Sequence, residues 1–195
     1  MKQYILIGVV LLTAATSAPA RAVDDSAGFD ASRISVQAGL GFFAEDNLDG
    51  FMLNFEGLYR IDANWSAGVD LQLGFENDFL LLSMPFFGRY DFADLPIDEP
   101  HFSKIHPFAK LGLGFTYAEI DGRIRTPALP GFPSRTTDFN ADDTGFLFIM
   151  AGGFAYPINE HFSLESTMQF NITTNDFFED DFYFSWEIIS LRYTF

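Results

Sequence analysis

Alternation of apolar and polar residues, recurring about eight times, constrains this sequence more than any other feature. In His161–Thr173, HFSLESTMQFNIT, the residues Phe162, Leu164, Met168, Phe170 and Ile172 share one face. His161, Ser163, Glu165, Thr167, Gln169, Asn171 and Thr173 share the other, with Ser166 the one polar residue on the apolar side. A period of two is the repeat of a β-strand, whose successive side chains point to opposite sides. Trp65–Glu76, Ile34–Phe42, Phe51–Ile61 and Pro107–Tyr117 repeat the pattern. Phe79–Phe92, Phe146–Tyr156 and Phe182–Phe195 carry apolar residues on both faces, so their inward sides are expected to be partly hydrophobic, with Leu81, Phe87, Leu147 and Ile149 in the interior. Eight strands of roughly ten to fourteen residues result. Turn-type clusters separate them at 44–50, 62–64, 76–78, 94–104, 121–143, 157–160 and 175–180.

The amino end follows a different pattern. Lys2 supplies a positive charge, Tyr4 to Thr16 is apolar, and small residues with an A-x-A site at Ala20–Arg21–Ala22 follow. The run is too short for a spanning helix, which needs about 20 residues. It predicts a secretory signal over residues 1–22, with a second cleavage site at Ala18–Pro19–Ala20, and a single mature domain over 23–195. Cleavage removes two basic residues and no acid, so the net charge moves from −16 to −18. Such a chain matches neither nucleic acid nor simple electrostatic adhesion to anionic lipid. With no cysteine, it has no disulfide framework.

A soluble barrel or sandwich with its apolar face inward also alternates, and volume separates the two cases. Side chains just fill the interior of an eight-stranded barrel, and the Phe, Leu, Trp and Tyr of the apolar faces would overfill it. The opposite face carries Gly39, Gly41, Gly68, Gly74, Gly112 and Gly114 beside polar and charged groups, as a crowded polar lumen requires. Crossing a bilayer takes about 9–11 tilted residues per strand, whereas soluble strands cluster near five or six. Tyr59, Trp65, Tyr90, Tyr156, Phe162, Tyr193 and Phe195 fall near strand ends, where interfacial girdles lie. Backbone polar groups in hydrocarbon must all be paired, so the sheet has to close. The expected fold is all-β: an eight-stranded antiparallel transmembrane up-and-down β-barrel. An even strand number puts both termini on one side, and the short turns 62–64 and 157–160 make that side periplasmic, with 121–143 outside. The connection 94–104 is long for a periplasmic turn.

The final strand SLRYTF, the turn RIDANWSAGVD, the segment PFAKLGLGFTYAE and the leader resemble the small bacterial outer-membrane barrels of the OmpW-like and OmpX/OmpA-like superfamily. The likeness extends over essentially all of residues 23–195. It implies an outer-membrane location among lipid and lipopolysaccharide, and a narrow apolar lumen that passes small hydrophobic molecules. It also implies that the C-terminal strand, with Leu191, Tyr193 and Phe195 facing outward, is read by the barrel assembly machinery. Glu187 departs from the pattern. Counted strictly back from Phe195 it lands on the lipid face, so either a bulge shifts the register or it lies near the outer interface, since a mid-bilayer charge is costly.

Inward charges form the main candidate site: Glu56, Asp70, Glu76 and Glu165 against Arg60, Arg89, Lys110 and Arg192. Buried charges need partners, so internal salt bridges that fill and close the lumen are expected, with a selectivity filter or gate as the alternative. His161, Ser163 and Glu165, at i, i+2 and i+4, resemble the histidine-activated serine of outer-membrane lipid A deacylases. They point to the lumen beside a periplasmic turn, away from the outer leaflet, so no catalytic residue is assigned and no enzyme is expected. Asp176, Glu179, Asp180 and Asp181, with Glu45, Asp46, Asp49, Asp142 and Asp143, could hold a divalent cation against lipopolysaccharide phosphate. Their spacing matches no EF-hand loop; solvated tips are expected, and no metal or cofactor is assigned. The 121–143 loop, with Arg123, Arg125, Arg135, Phe132 and three prolines, is long enough to meet a surface partner or cap the barrel mouth. Passive permeation of small hydrophobic solutes or envelope integrity is the leading functional expectation. Surface interaction through the 121–143 loop comes next, and lipid A modification last.

Overall fold

The computed structural model describes residues 31–45, 48–92, 104–126, 135–174, 176, 178 and 181–195; the leader 1–22 lies outside them. After a 3-10 turn at Ala31–Arg33 come β1 (Ile34–Glu45), β2 (Leu48–Arg60), β3 (Trp65–Glu76), β4 (Phe79–Asp91), β5 (His106–Thr126), β6 (Arg135–Pro157), β7 (Phe162–Thr173) and β8 (Phe182–Thr194). Each strand pairs with the next and β8 pairs antiparallel with β1, which closes the barrel. At that seam the Ser35 and Thr194 hydroxyls lie 2.9 Å apart, and Phe195 N–H donates to the Ile34 carbonyl at 3.1 Å. The chain therefore ends on a residue held by its neighbour strand.

The alternating faces fall as volume requires. Leu113 and Phe146 are 66% and 69% exposed on the outer wall, and Phe86, Leu111, Met150, Phe154 and Ile172 join them. An apolar belt on every strand exceeds what a soluble monomer exposes, and it is the lipid-facing surface. Aromatic contacts ring the rim where β1 begins and β8 ends. Trp65–Tyr90, Tyr90–Phe92 and Tyr193–Phe195 centroids are each 5.0 Å apart, and Phe162–Tyr193 are 5.1 Å apart.

The two short turns on that rim are built alike. Asp62 Oδ1 accepts from the N–H groups of Asn64 and Trp65, both at 2.8 Å. Asn159 Oδ1 accepts from those of His161 and Phe162, both at 2.9 Å. A short polar side chain replacing a backbone acceptor is the reason Asp and Asn occupy such turns.

Two connections differ from expectation. The 44–50 cluster shrinks to residues 46–47, because Glu45 already faces Leu48. The 121–143 loop is mostly strand, since β5 and β6 stay paired out to Thr126↔Arg135. Pro127, Pro130 and Pro133 all lie within 127–134, outside the described residues, so none of these prolines interrupts the described ladder.

A bulge sets the register at Glu187. Leu40 faces Ile189 but Gly41 faces Glu187, which leaves Ile188 as the extra residue. Ile188 and Ile189 both point outward and Glu187 is buried inside. Ser166, the polar residue on the apolar face of β7, sits opposite this break. Its hydroxyl donates to the Glu187 carbonyl at 3.1 Å and accepts from Trp186 Nε1 at 3.0 Å. It thus satisfies backbone that the bulge removes from the ladder. A second interruption lies at Pro85, which has no N–H to offer β3; the β3–β4 pairing skips Asp70 and Leu71.

Inside, the end where β1 begins and β8 ends is charged and the opposite end is apolar. Phe43, Met52, Phe79, Leu81, Phe87, Leu147, Ile149, Tyr183 and the loop residue Phe178 form the apolar cluster. Phe178 stacks on Tyr183 at 4.7 Å and meets Phe79 edge-on at 6.4 Å, sealing that mouth from within. The inward Phe43, Met52 and Leu58 correct the reading of β1 and β2 as cleanly alternating, as Phe108 does for β5. Gly50, Gly68, Gly74 and Gly153 make room for such rings. A Cβ at Gly74 would come 2.7 Å from the Phe43 ring, and one at Gly68 2.7 Å from the Phe87 ring. Gly39 instead leaves space for a charged group, the Glu187 carboxylate.

Candidate functional site

Strand parity brings charges from five of the eight strands, and Gln37 from a sixth, into one network. Arg89 on β4 is 1% exposed and reaches across the lumen to Glu165 on β7, with Nη1 to Oε2 at 2.8 Å and Nη2 to Oε1 at 3.2 Å. Its Nε also donates to Asp91 Oδ1 at 2.8 Å. Arg192 on β8 donates from Nη2 to Glu165 Oε2 at 2.8 Å and stands 3.9 Å from Glu56 Oε1. Glu56 on β2 takes the Lys110 ammonium of β5. Arg192 Nε donates to Gln37 Oε1 on β1 at 3.3 Å, and Gln37 Nε2 donates onward to Ser190 Oγ at 2.8 Å and Glu187 Oε1 at 3.2 Å. Phe108 lies between the cations, its ring centroid 3.7 Å from the Arg89 guanidinium carbon and 5.4 Å from Lys110 Nζ. Charge-assisted, bidentate contacts of this kind hold buried ions that would otherwise be prohibitively desolvated.

Of the eight charges anticipated inside, Glu56, Asp70, Arg89, Lys110 and Glu165 are buried, and Arg192 is largely buried. Arg60, the last residue of β2, is exposed at the rim and lies outside the network. Glu76 is half-buried at the apolar end, with Oε2 unpaired. Sequence reading left Glu187 between a bulge and the outer interface, and the bulge places it inside; it missed Asp91, at the very end of β4.

The remaining candidates come apart. His161 Nδ1 lies 3.0 Å from the Thr194 carbonyl oxygen, outside the lumen, while the Glu165 carboxylate is taken up by two arginines. The arrangement needed to activate Ser163 is therefore not assembled. Of the acidic outer residues, Asp143 Oδ2 accepts from the Asp176 N–H at 2.7 Å. Asp46, Glu179 and Asp180 lie outside the described residues, and among those described no cluster of His, Cys, Asp or Glu is arranged to hold a metal. Leu191, Tyr193 and Phe195 lie on the outer face of β8, consistent with their parity, Leu191 and Phe195 well exposed.

Mid-barrel, Met52, Asn54, Asp70, Gln72, Lys110, Thr167, Gln169, Ser185 and Glu187 line a narrow void into which no water-sized sphere fits. Beyond it, Ser83 Oγ joins the Thr116 and Tyr183 hydroxyls at 3.1 and 2.8 Å. The middle of the lumen is thus packed, while at the charged end a pocket of about 460 Å³ opens beside Arg60, Arg89, Asp91, Ser163, Glu165 and Arg192.

No family model matches the sequence, and comparison with curated proteins gives no match. Among solved structures the barrel is similar to Neisserial surface protein A, with a TM-score of 0.56 and 17% identity over 83% of this chain and 96% of that one. It is similar to Ail, the attachment invasion locus protein of Yersinia pestis, with a TM-score of 0.50 and 13% identity over 83% and 96%. The N-terminal β-barrel domain of Pseudomonas aeruginosa OprF gives 0.48 and 9% over the same shares. The first two likenesses show the fold, that of the small eight-stranded outer-membrane β-barrels. With the apolar belt, the class follows: this chain folds as a closed eight-stranded transmembrane β-barrel of the architecture seen in those outer-membrane proteins.

Proposed function

We propose that this barrel is a rigid mount in the outer membrane that displays its β5–β6 hairpin to a partner outside the cell. The hairpin's reach carries this reading. Ile120 is the last β5 residue opposite β4, yet Asp121–Thr126 remains paired with Arg135–Asn140. Those six further pairs, at about 3.3 Å per residue, carry the ladder about 20 Å beyond the neighbouring strand. Its base is braced: Asn140 Nδ2 donates to Glu119 Oε1 and to Asp121 Oδ1, both at 2.8 Å, and Asp121 N–H donates to the Asp78 carbonyl at 2.8 Å. The hairpin sequence 121–140 holds Arg123, Arg125 and Arg135 against Asp121 and Asp138, a net charge of +1, whereas the connections 46–47, 77–78 and 174–181 at the same end contain no Lys or Arg. A partner bearing anionic groups suits that charge.

On this reading both termini are periplasmic, residues 1–22 are the export signal, and lipid and lipopolysaccharide surround the belt. The barrel assembly machinery reads the strand that carries Leu191, Tyr193 and Phe195. Passive permeation has less support, because Leu81, Phe87, Leu147 and Ile149 are packed into the interior. Replacing residues 124–140 by a short turn tests the mount. It should leave a folded barrel that no longer binds anionic polysaccharide, with neither form conducting ions in single-channel recordings. Unchanged binding after the deletion, or steady conductance and liposome swelling by the intact protein, would overturn the reading.

A further inference from the structure

The mid-barrel void gathers oxygen atoms that nothing satisfies. Asn54 Oδ1, Asp70 Oδ1, Gln72 Oε1 and Thr167 Oγ1 have no hydrogen-bond partner, and their residues are no more than 5% exposed. All four residues line the same void. The Gln72 amide cannot be turned over to offer its nitrogen instead, because that nitrogen donates to Asp70 Oδ2 at 2.6 Å. Buried acceptors left unpaired are costly and rare. They call for a cation or a proton donor.

Charge points the same way. Among the described inward residues, Glu56, Asp70, Glu76, Asp91, Glu165 and Glu187 stand against Arg89, Lys110 and Arg192. The basic groups are engaged with Glu56, Asp91 and Glu165, and neither Asp70 nor Glu187 makes an ion pair. Water is the usual answer to orphaned acceptors, but it needs room for its own sphere. Here that room is lacking. A dehydrated sodium or lithium ion is smaller than water, and carboxylate, amide and hydroxyl oxygens are the hard ligands such an ion takes. Lys110 on the same void opposes a second positive charge, which disfavours a divalent ion.

We propose that the barrel interior binds one dehydrated monovalent cation of sodium or lithium size, coordinated by Asp70, Asn54, Gln72 and Thr167. A ligand bound by the folded state alone raises its stability in proportion to occupancy. The thermal unfolding midpoint of the folded barrel in detergent micelles should therefore rise and saturate with NaCl and LiCl. It should stay lower in KCl and N-methylglucamine chloride at the same ionic strength. Equilibrium dialysis should find one sodium per chain. Asp70→Asn, a near-isosteric change, should keep the N-methylglucamine midpoint and lose the sodium increment; Thr167→Val should raise the half-saturating sodium concentration several-fold. Equal midpoints in all four salts for the unaltered protein would overturn the proposal, whatever the variants do. A sodium increment undiminished in folded Asp70→Asn would overturn it as well.

Discussion

Arg89 and Glu165 meet across the lumen as a two-pronged pair, Nη1 to Oε2 at 2.8 Å and Nη2 to Oε1 at 3.2 Å, joining β4 to β7. Arg192 reaches the same carboxylate from β8 at 2.8 Å. Glu165→Ala therefore removes the shared partner of two arginines and leaves buried charge uncompensated. Loss of one member of a buried pair costs about 3–5 kcal/mol. Urea unfolding of the folded barrel in micelles should show a loss of that size, and Glu165→Gln, which keeps an acceptor, a smaller one. A loss below about 1 kcal/mol, the range of exposed pairs, would mean that the arginines are solvated inside the barrel.

The bulge at Ile188 makes a sharper demand. Deleting Ile188 removes the extra residue, so β8 alternates strictly while Glu187 stays in the lumen and Ile189 stays on the lipid wall. The Ser166 hydroxyl then loses the Glu187 carbonyl that the bulge turned toward it, and one such hydrogen bond is worth about 0.5–1.5 kcal/mol. Deletion of Ile188 should thus keep the barrel folded, with a loss within that range in urea unfolding. Failure of the deleted chain to form a barrel would show that the bulge is needed for pairing geometry.

The same bulge shows why the sequence was legible in some places and not in others. Alternation has a period of two, so parity alone placed Glu56, Arg89, Lys110 and Glu165 on one face, and the outward belt on the other. Parity fails wherever a residue is inserted, and Ile188 is why a strict count puts Glu187 on the lipid face, the departure for which a bulge was one of two explanations. Ser166 was the visible trace, a polar residue on an apolar face that turns out to bond the Glu187 carbonyl. Partner choice was not legible, because Arg89 and Glu165 are 76 residues apart and meet only through closure of the barrel. Inward Phe43 and Phe108 were missed because hydrophobicity does not distinguish lipid from a ring-lined lumen. Arg60 was misplaced because its parity is inward but its strand ends at the rim.

Asp62 and Asn159 supply a matched pair of turns in which only one titrates. The Asn64 and Trp65 N–H groups hold the Asp62 carboxyl below its ordinary value of 3.8. A carboxyl lowered on folding adds stability that is complete above the unfolded value and fades as pH falls through the folded one. NMR titration of the Asn64 and Trp65 amides should show a transition centred below pH 3.8, with no matching transition at His161 and Phe162 from the Asn159 turn. Asp62→Asn should abolish it while preserving the turn. A transition centred at or above 3.8 would mean that those hydrogen bonds do not favour the ionised form.

Phe195 tests whether the last strand is a signal or only a seam. Its ring is exposed on the outer wall and packs edge-on against Tyr193 at 5.0 Å, while its N–H closes onto Ile34 through the backbone. Phe195→Ala keeps that backbone bond and removes only the ring. Such an aromatic pair is worth about 0.5–1.5 kcal/mol beyond area burial, and detergent covers the freed surface in micelles. Refolded Phe195→Ala should therefore lose no more than about 1.5 kcal/mol. If the assembly machinery reads the terminal aromatic, the amount of barrel reaching the outer membrane in cells should fall far more steeply than that stability. A cellular level that simply follows the stability of the refolded protein would assign Phe195 to the seam alone.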